Sequence, residues 1–373
     1  MRVLMAAGGT GGHLIPAIRI AEAIKRQCGE SRELELLFVG SDRGFEKQVI
    51  ERRHHRYEGL PARGFSRTRP WRNFAALWSN IRARSLARAL VRDFAPDVAV
   101  GCGGYASYFP VRAAGQAGIP YALQEQNRLP GLATRWLVSG ASVVFAAFEE
   151  SRRHLAGARR LEITGNPIDP RLATMPRSEA RRAWGLPEEE RVILVTGGSG
   201  GARSINANVA AGLNADCPDG PVTVLWQTGR HKADWDGRVG SGWTLQPFEF
   251  TDSMTEAFVA ADVVIARSGA LTISELAAAG RPAVLVPFPH ATDDHQTHNA
   301  RVLVDAGAAL LVPDRELPGR SLLAEAAGLL RDSERRERMG DAARAMGKPD
   351  AADRIAAEVI SLAEGADRGD HSS

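Results

Sequence analysis

Val3-Leu4-Met5-Ala6-Ala7-Gly8-Gly9-Thr10-Gly11-Gly12-His13 and Val192-Ile193-Leu194-Val195-Thr196-Gly197-Gly198-Ser199-Gly200-Gly201-Ala202 align without a gap, 189 residues apart. Each reads as a buried strand, a GGxGG turn and the opening of a helix. Around both copies, short apolar runs alternate with helical patterns. Before residue 150 the runs are 3–6, 34–39, 98–101, 121–123 and 143–146, with a helix over 14–27. After a turn-rich stretch, Gly165-Asn166-Pro167-Ile168-Asp169-Pro170, they restart at 192–195, 222–226, 263–266, 283–286 and 309–312. This βαβα alternation predicts doubly wound parallel sheets. The repeat predicts two Rossmann-like domains facing one another across a cleft, with ligands beyond the carboxyl ends of the strands. The expected division is 1–165, 166–345, and 346–373 as a C-terminal helix returning to the first domain. The tail is expected to fray from about Gly365.

The chain has 373 residues, 44% hydrophobic and 24% charged, which fits a globular protein of about two domains. No apolar run approaches the ~20 residues that a membrane span needs. The N-terminus runs straight into the first strand without a signal-peptide pattern. Cys28, Cys102 and Cys217 are far apart and form no CxxC, so they read as reduced thiols of a cytoplasmic protein.

The glycine loops carry the chemistry. Glycines after a strand let backbone approach a ligand, and the exposed amides of the helix start favour an anion, typically phosphate. Neither loop reads GxGxxG, and no GxxxxGK[ST] occurs, which argues against nicotinamide dinucleotides and P-loop chemistry. A third loop, Gly101-Cys102-Gly103-Gly104-Tyr105-Ala106-Ser107, follows another strand. The alternative for each is a tight βα turn that binds nothing. Where the first copy has His13 the second has Ala202. An imidazole at a helix start is biased towards neutral, as suits a general base, although a capping or packing histidine fits as well.

Other clusters are less decided. Gln124-Glu125-Gln126-Asn127 suits sugar hydroxyls, or simple loop hydrogen bonding. Arg267 to Glu275 again runs strand, glycine turn, helix. If the helix opens at Ser268, its amides form an anion nest; Glu275, two turns in, suits ribose hydroxyls or simply a solvated helix face. The stretch 290–299 includes His295, Gln296, His298 and Asn299, and fits sugar recognition better than a metal, since HExxH and cysteine are lacking. Asp234-Trp235-Asp236 is a chance DxD in a polar loop. No GxSxG elbow is present.

Charge is uneven. Eleven arginines face one acid, Glu58, between Arg52 and Arg92, within a net charge of +3 for the whole chain. Trp71, Phe74, Trp78 and Ile81 recur there at helical spacing, with Leu77 beside Trp78. Two readings fit: an amphipathic element resting on an anionic membrane, or an ordinary helix with its apolar face in the core. No nucleic-acid-binding signature accompanies the charge.

Taken together, GGTGGH (8–13), GCGGYAS (101–107), QEQN (124–127), GNP (165–167), GGSGGAR (197–203), RSGALTISE (267–275) and PHATDDHQTHNA (289–300) resemble the MurG-type peptidoglycan glycosyltransferases. The resemblance implies the GT-B fold and an inverting transfer of N-acetylglucosamine. The donor is UDP-N-acetylglucosamine, held by the C-terminal domain. The acceptor is undecaprenyl-diphospho-muramoyl pentapeptide, held by the N-terminal domain, and no obligatory metal is implied. It implies Thr10, Gly11 and Gly12 on the diphosphate and sugar side, His13 as base or diphosphate contact, Tyr105 near the acceptor and Asn127 near the sugar. For the donor it implies Ser199 on phosphate, Thr251 at uracil, and the helix start at Ala270, Leu271, Thr272, Ile273 and Ser274 on the diphosphate. Glu275 would hold the ribose and Gln296 the sugar. It favours the membrane reading for Trp71, Phe74, Leu77, Trp78 and Ile81 with Arg69, Arg72 and Arg82, at the cytoplasmic face, and allows partners in cell-wall synthesis. Two departures stand out. Asp169 sits where many members have arginine, with Arg171 two residues later, and the step from Tyr105 to Pro110 is longer than usual. The rivals are a UDP-N-acetylglucosamine 2-epimerase or a soluble-acceptor transferase of the same fold, and a non-catalytic nucleotide-sugar-binding protein. A nicotinamide oxidoreductase is weaker still.

Overall fold

A computed structural model describes the chain except residues 10, 30–32, 44–45, 65–71, 199, 218–219, 231–234, 236, 292–293 and 370–373; for 72–75 and 366–369 only the backbone is described. The chain forms two units. One is Met1–Ile168 together with the segment that begins at Asp350; the other is Asp169–Pro349.

The first unit is built on seven strands: β1 (Arg2–Ala6), β2 (Glu35–Ser41), β3 (Arg56–Leu60), β4 (Val98–Gly101), β5 (Tyr121–Glu125), β6 (Val143–Ala146) and β7 (Leu161–Ile163). Their order is β3-β2-β1-β4-β5-β6-β7 and every pairing is parallel. The second unit has six: β8 (Arg191–Thr196), β9 (Val222–Gln227), β10 (Trp243–Phe248), β11 (Val263–Ala266), β12 (Ala283–Leu285) and β13 (Ala309–Leu311). Their order is β10-β9-β8-β11-β12-β13, again all parallel. Parallel strands covered on both faces are apolar throughout. Val98–Gly101 and Val263–Ala266 are accordingly buried at every position.

Sheet order reverses between β1 and β4 in one unit and between β8 and β11 in the other. Such a reversal opens a crevice at the carboxyl edge, because the connections from the two strands leave towards opposite faces. GGTGG follows β1 and GCGGYAS follows β4. GGSGG follows β8 and the Arg267 segment follows β11. The local sequence thus puts a glycine-bearing turn on both sides of each crevice.

Three differences from the sequence reading have physical reasons. The first helix opens at Gly11 rather than Leu14, since glycines are tolerated in the first turn, where amides have no intrahelical partner. The helix after β11 opens at Ala270, with Gly269 as its N-cap in extended backbone, and not at Ser268. Ser268 is fully buried and its hydroxyl donates to the Gln296 carbonyl at 2.8 Å, which occupies the would-be cap. The last helix continues through Gly369, past the expected fraying point at Gly365. Its Ala352, Ile355, Ala356 and Val359 join the core of the first unit with Ile20, Ala21 and Ile24. Arg160 anchors it to Glu358 at 3.1 Å and Arg26 to Asp353 at 2.8 Å.

Candidate active site

In the first unit the two glycine loops interlock. Cys102 N–H donates to the Ala6 carbonyl at 2.8 Å, carrying the β1–β4 pairing into the loops. Gly104 has φ +80°, and a Cβ built on it would fall 1.8 Å from the Gly8 oxygen. Only glycine permits that approach. The Tyr105 ring lies over Gly9, where a Cβ would meet its Cε1 at 3.2 Å. On the other side a Cβ on Gly103 would stand 2.7 Å from His13 Cδ2, 3.2 Å from His13 Nε2 and 3.4 Å from Gln126 Oε1. His13, Tyr105 and Gln126 therefore gather around one patch of bare backbone. His13 is the third residue of its helix, where the dipole favours neutral imidazole.

The Gln124–Asn127 segment is a built support. Gln126 Nε2 donates to the Cys102 carbonyl at 2.8 Å, and Asn166 Nδ2 to the Gln126 carbonyl at 3.2 Å. Glu125 is buried and receives the Thr134 hydroxyl at 2.6 Å, Gly131 N–H at 3.0 Å and Asn127 N–H at 3.1 Å. Burial pushes its carboxyl above the usual carboxylate range, and these donors offset part of that. Glu125 thereby fixes the backbone of Asn127, one residue beyond Gln126.

Glu46, which the sequence did not single out, also reaches this loop. It is 0% exposed and accepts the Gly9 N–H at 2.6 Å. Burial first, and then the Glu46 charge, push the neighbouring Tyr57 phenol up.

In the second unit Gly198 N–H donates to the Thr196 hydroxyl at 3.2 Å. A Cβ on Gly201, φ +74°, would fall 2.3 Å from the Thr228 oxygen, so this turn too is pressed against backbone. Beyond β11, Arg267 ties the crevice together. Its Nη1 donates to Asp314 Oδ2 at 2.6 Å, the Pro287 carbonyl at 3.0 Å and the Val286 carbonyl at 3.1 Å; its Nη2 donates to Ser204 Oγ at 2.7 Å. The guanidinium carbon lies 5.6 Å from the Phe288 ring centroid. No role could be read for Arg267 in the sequence, because its partners come from three distant segments.

The helix Ala270–Ala279 starts behind Gly269, which has no side chain to cap it. Leu271, Thr272 and Glu275 are half-buried and share one side at i, i+1 and i+4, while Ile273 is core. Ser274 bonds back to the Ala270 carbonyl at 3.1 Å. Gln296 is held beside this helix start by the Ser268 hydroxyl, and its Oε1 accepts the Phe288 N–H at 3.0 Å. Thr251 Oγ1 accepts the Ser253 N–H at 3.0 Å, next to exposed Phe250. Thr10 and Ser199 lie outside the described residues, as do Trp71, Asp234 and Asp236. Among the described residues no three His, Cys, Asp or Glu side chains gather as metal ligands.

Arg171 is committed locally. Buried Asp169 takes its Nη2 at 2.8 Å and its backbone N–H at 3.0 Å, and Glu256 takes its Nη1 at 3.0 Å. The hydrogen bond that the guanidinium donates to Asp169 is the first cause that raises it above its ordinary value. Asp169 also accepts the Thr255 hydroxyl at 3.1 Å, so the departure at this position builds a small ion-paired network at the start of the second unit.

The basic helix Arg72–Phe94 buries small residues: Ala76, Ala83, Ala87 and Val91 face the core. Leu77, Trp78 and Ile81 point outward, 51%, 76% and 55% exposed, beside exposed Arg82 and Arg84. The reading with these large residues in the core is therefore wrong. Small alanines let the helix approach the sheet and turn the larger side chains out. Phe74 and Arg72 have undescribed side chains. Among the described residues no helix is long and apolar enough to cross a membrane.

Residues 3–146 match the glycosyltransferase family 28 N-terminal domain and residues 192–355 its C-terminal domain. A protein of Desulforudis audaxviator is 39% identical over 97% of this chain and 99% of its own length; it is named UDP-N-acetylglucosamine–N-acetylmuramyl-(pentapeptide) pyrophosphoryl-undecaprenol N-acetylglucosamine transferase. The crystal structure of Acinetobacter baumannii MurG is 26% identical, with a TM-score of 0.70 over 96% of this chain and 99% of that one. A UDP-GlcNAc 2-epimerase from Neisseria meningitidis reaches a TM-score of 0.65 over 97% of this chain and 100% of its own, at 15% identity, a likeness of fold alone.

Proposed function

This chain belongs to glycosyltransferase family 28, and from that premise we propose how its two units divide the work. The reaction is transfer of N-acetylglucosamine from UDP-N-acetylglucosamine to the lipid-linked muramoyl pentapeptide of peptidoglycan synthesis. The observation that carries it is the near-full-length match to a relative named for that transfer.

The second unit takes the donor. Amides at the start of the helix Ala270–Ala279, and the GGSGG turn with Ser199, hold the leaving diphosphate and stabilise the charge that grows on it. Glu275 accepts from the ribose hydroxyls, Thr251 stands at the uracil, and Gln296, fixed by Ser268 and Phe288, reads the sugar. The first unit takes the acceptor, with Thr10, Gly11 and Gly12 along its sugar and diphosphate side and Tyr105 and Asn127 as positioning contacts. The muramoyl 4-hydroxyl attacks the anomeric carbon in a single displacement, inverting it, while His13 takes the hydroxyl proton. This route uses no obligatory metal, so activity is expected to survive a chelator. Leu77, Trp78 and Ile81, with exposed Arg82 and Arg84 beside them, rest on the anionic cytoplasmic leaflet where the polyprenyl acceptor resides.

Product analysis tests the reading. The lipid-linked acceptor should gain one β-linked N-acetylhexosamine. Conversion of the donor to N-acetylmannosamine without acceptor would support the epimerase alternative instead.

A further inference from the structure

Arginines of the second unit crowd the amino edge of its sheet, the edge opposite the glycine turns. Asp262 stands just before β11 and Arg281 two residues before β12. Arg177 and Arg181 come from the helix Arg177–Ala183, and Arg344 from the helix Ser333–Met346. Asp262 is fully engaged. Its Oδ1 takes Arg177, and its Oδ2 takes Arg181 Nη2 at 3.2 Å and the Val192 N–H at 2.9 Å. Arg344 pairs with exposed Asp341 and lies across Gly280, where an added Cβ would stand 2.6 Å from its Nη1. The next residue, half-buried Arg281, has no carboxylate partner among the described residues. Its Nη2 donates to the Val259 carbonyl at 2.8 Å, and its Nε is buried without a hydrogen bond. The carbonyl ends of the helices Met254–Ala260 and Ala270–Ala279 offset part of its charge. Burial first, and then the Arg177 charge, push its guanidinium down to about 10. An enclosed cation among like charges is costly unless an anion joins it.

We infer that Arg281, flanked by Arg177 and Arg344, forms a phosphate-binding site at the amino edge of the second unit's sheet, separate from the donor crevice at the carboxyl edge. Guanidinium forks match phosphate oxygens, and a phosphate monoanion or dianion brings the charge that Asp262 has already spent on Arg177 and Arg181. Arg281 supplies the enclosed donor. Arg177 and Arg344, 43% and 56% exposed, stand where an ion arriving from solvent meets them first. The phosphate group is that of a free ion or of a lipid headgroup; the chemistry of recognition is the same. The site is independent of which unit holds the donor.

The test is a calorimetric titration of the full chain, at fixed ionic strength and with saturating UDP present, using two probes: inorganic phosphate and a water-soluble short-chain phosphatidic acid. The parent should bind one phosphate group per chain. Arg281→Gln removes the charge and should weaken that binding at least about tenfold, while UDP affinity stays within about a factor of two. Arg344→Gln changes a largely exposed side chain and should weaken it at least about threefold, so the test stands even if Arg281→Gln does not fold. Inorganic phosphate binding that depends on these arginines identifies a free ion as sufficient. Arginine-dependent binding of the phosphatidic acid alone identifies a lipid headgroup. Binding of neither probe by the parent, or binding that a folded Arg281→Gln or Arg344→Gln protein keeps in full, would overturn the inference and leave Arg281 as a cap on two helix ends.

Discussion

Gly104 lies so close above Gly8 that a side-chain carbon on it would stand 1.8 Å from the Gly8 carbonyl oxygen. This contact interlocks the turns after β1 and β4 and sets the floor on which His13, Tyr105 and Gln126 converge. Gly104→Ala combines a positive φ with a backbone clash and should cost about 3 kcal/mol or more, a fall in Tm of roughly 6–12 °C for a unit of this size. Gly118→Ala is the matched control. Its φ is +79°, yet nothing lies within 4 Å of an added Cβ, so it should cost only about 1 kcal/mol. Equal melting shifts would show that the interlock contributes nothing.

Arg267 gathers the end of β11, the 286–288 segment, Asp314 and Ser204 on one guanidinium. Lysine cannot reproduce that fork. Arg267→Lys should loosen the donor crevice and weaken UDP affinity about tenfold, measured calorimetrically, while the acceptor KM stays within a factor of two or so. Unchanged UDP binding would demote Arg267 to fold support alone.

Glu125 binds its proton more tightly in the folded chain than in the unfolded one, because burial raises its carboxyl. The stability this contributes is fully present below the ordinary carboxylate value of 4.5 and is lost as pH rises through the raised value. The Tm of the parent minus that of Glu125→Gln should therefore grow as pH falls from 7 towards 4.5. A flat difference across that range would show that the hydrogen bonds from Thr134, Asn127 and Gly131 cancel the burial.

The outward face of the helix Arg72–Phe94 predicts membrane affinity through apolar burial together with positive charge. Replacing both Trp78 and Ile81 with serine should lower binding to vesicles containing anionic phospholipid at least about tenfold, with little change in Tm, since both side chains are exposed. Binding should also fall with added salt. Equal vesicle binding by parent and variant would remove this patch from the membrane account.

The interior of the fold was legible because buried parallel strands write themselves as continuous apolar runs. Val98–Gly101, Val143–Ala146 and Val263–Ala266 begin and end where the sequence predicts. The strands it missed, β3, β7 and β10, all lie at sheet edges. There one side faces no neighbouring strand and the apolar run breaks, as in Arg56-Tyr57-Glu58-Gly59-Leu60 and in β10, which tolerates Pro247. The glycine turns were legible as motifs, because close backbone approach demands glycine. Glu46 and Arg267 were not legible as working residues. Each acts through contacts with segments dozens of residues away, and nothing in the local pattern announces a buried carboxylate beneath a distant turn. The outward turn of Leu77, Trp78 and Ile81 was likewise open until the helix was seen to bury alanines.

On the proposed reading the glycine-lined crevices serve one acceptor-dependent transfer. The most direct measurement is UDP release from UDP-N-acetylglucosamine, with and without the lipid-linked muramoyl pentapeptide, run beside His13→Ala. Release is expected only with acceptor, in step with a β-linked disaccharide product. In the His13 variant kcat should fall roughly a hundredfold or more, with UDP affinity kept. Release that proceeds equally without acceptor, or full turnover in the His13→Ala protein, would contradict it.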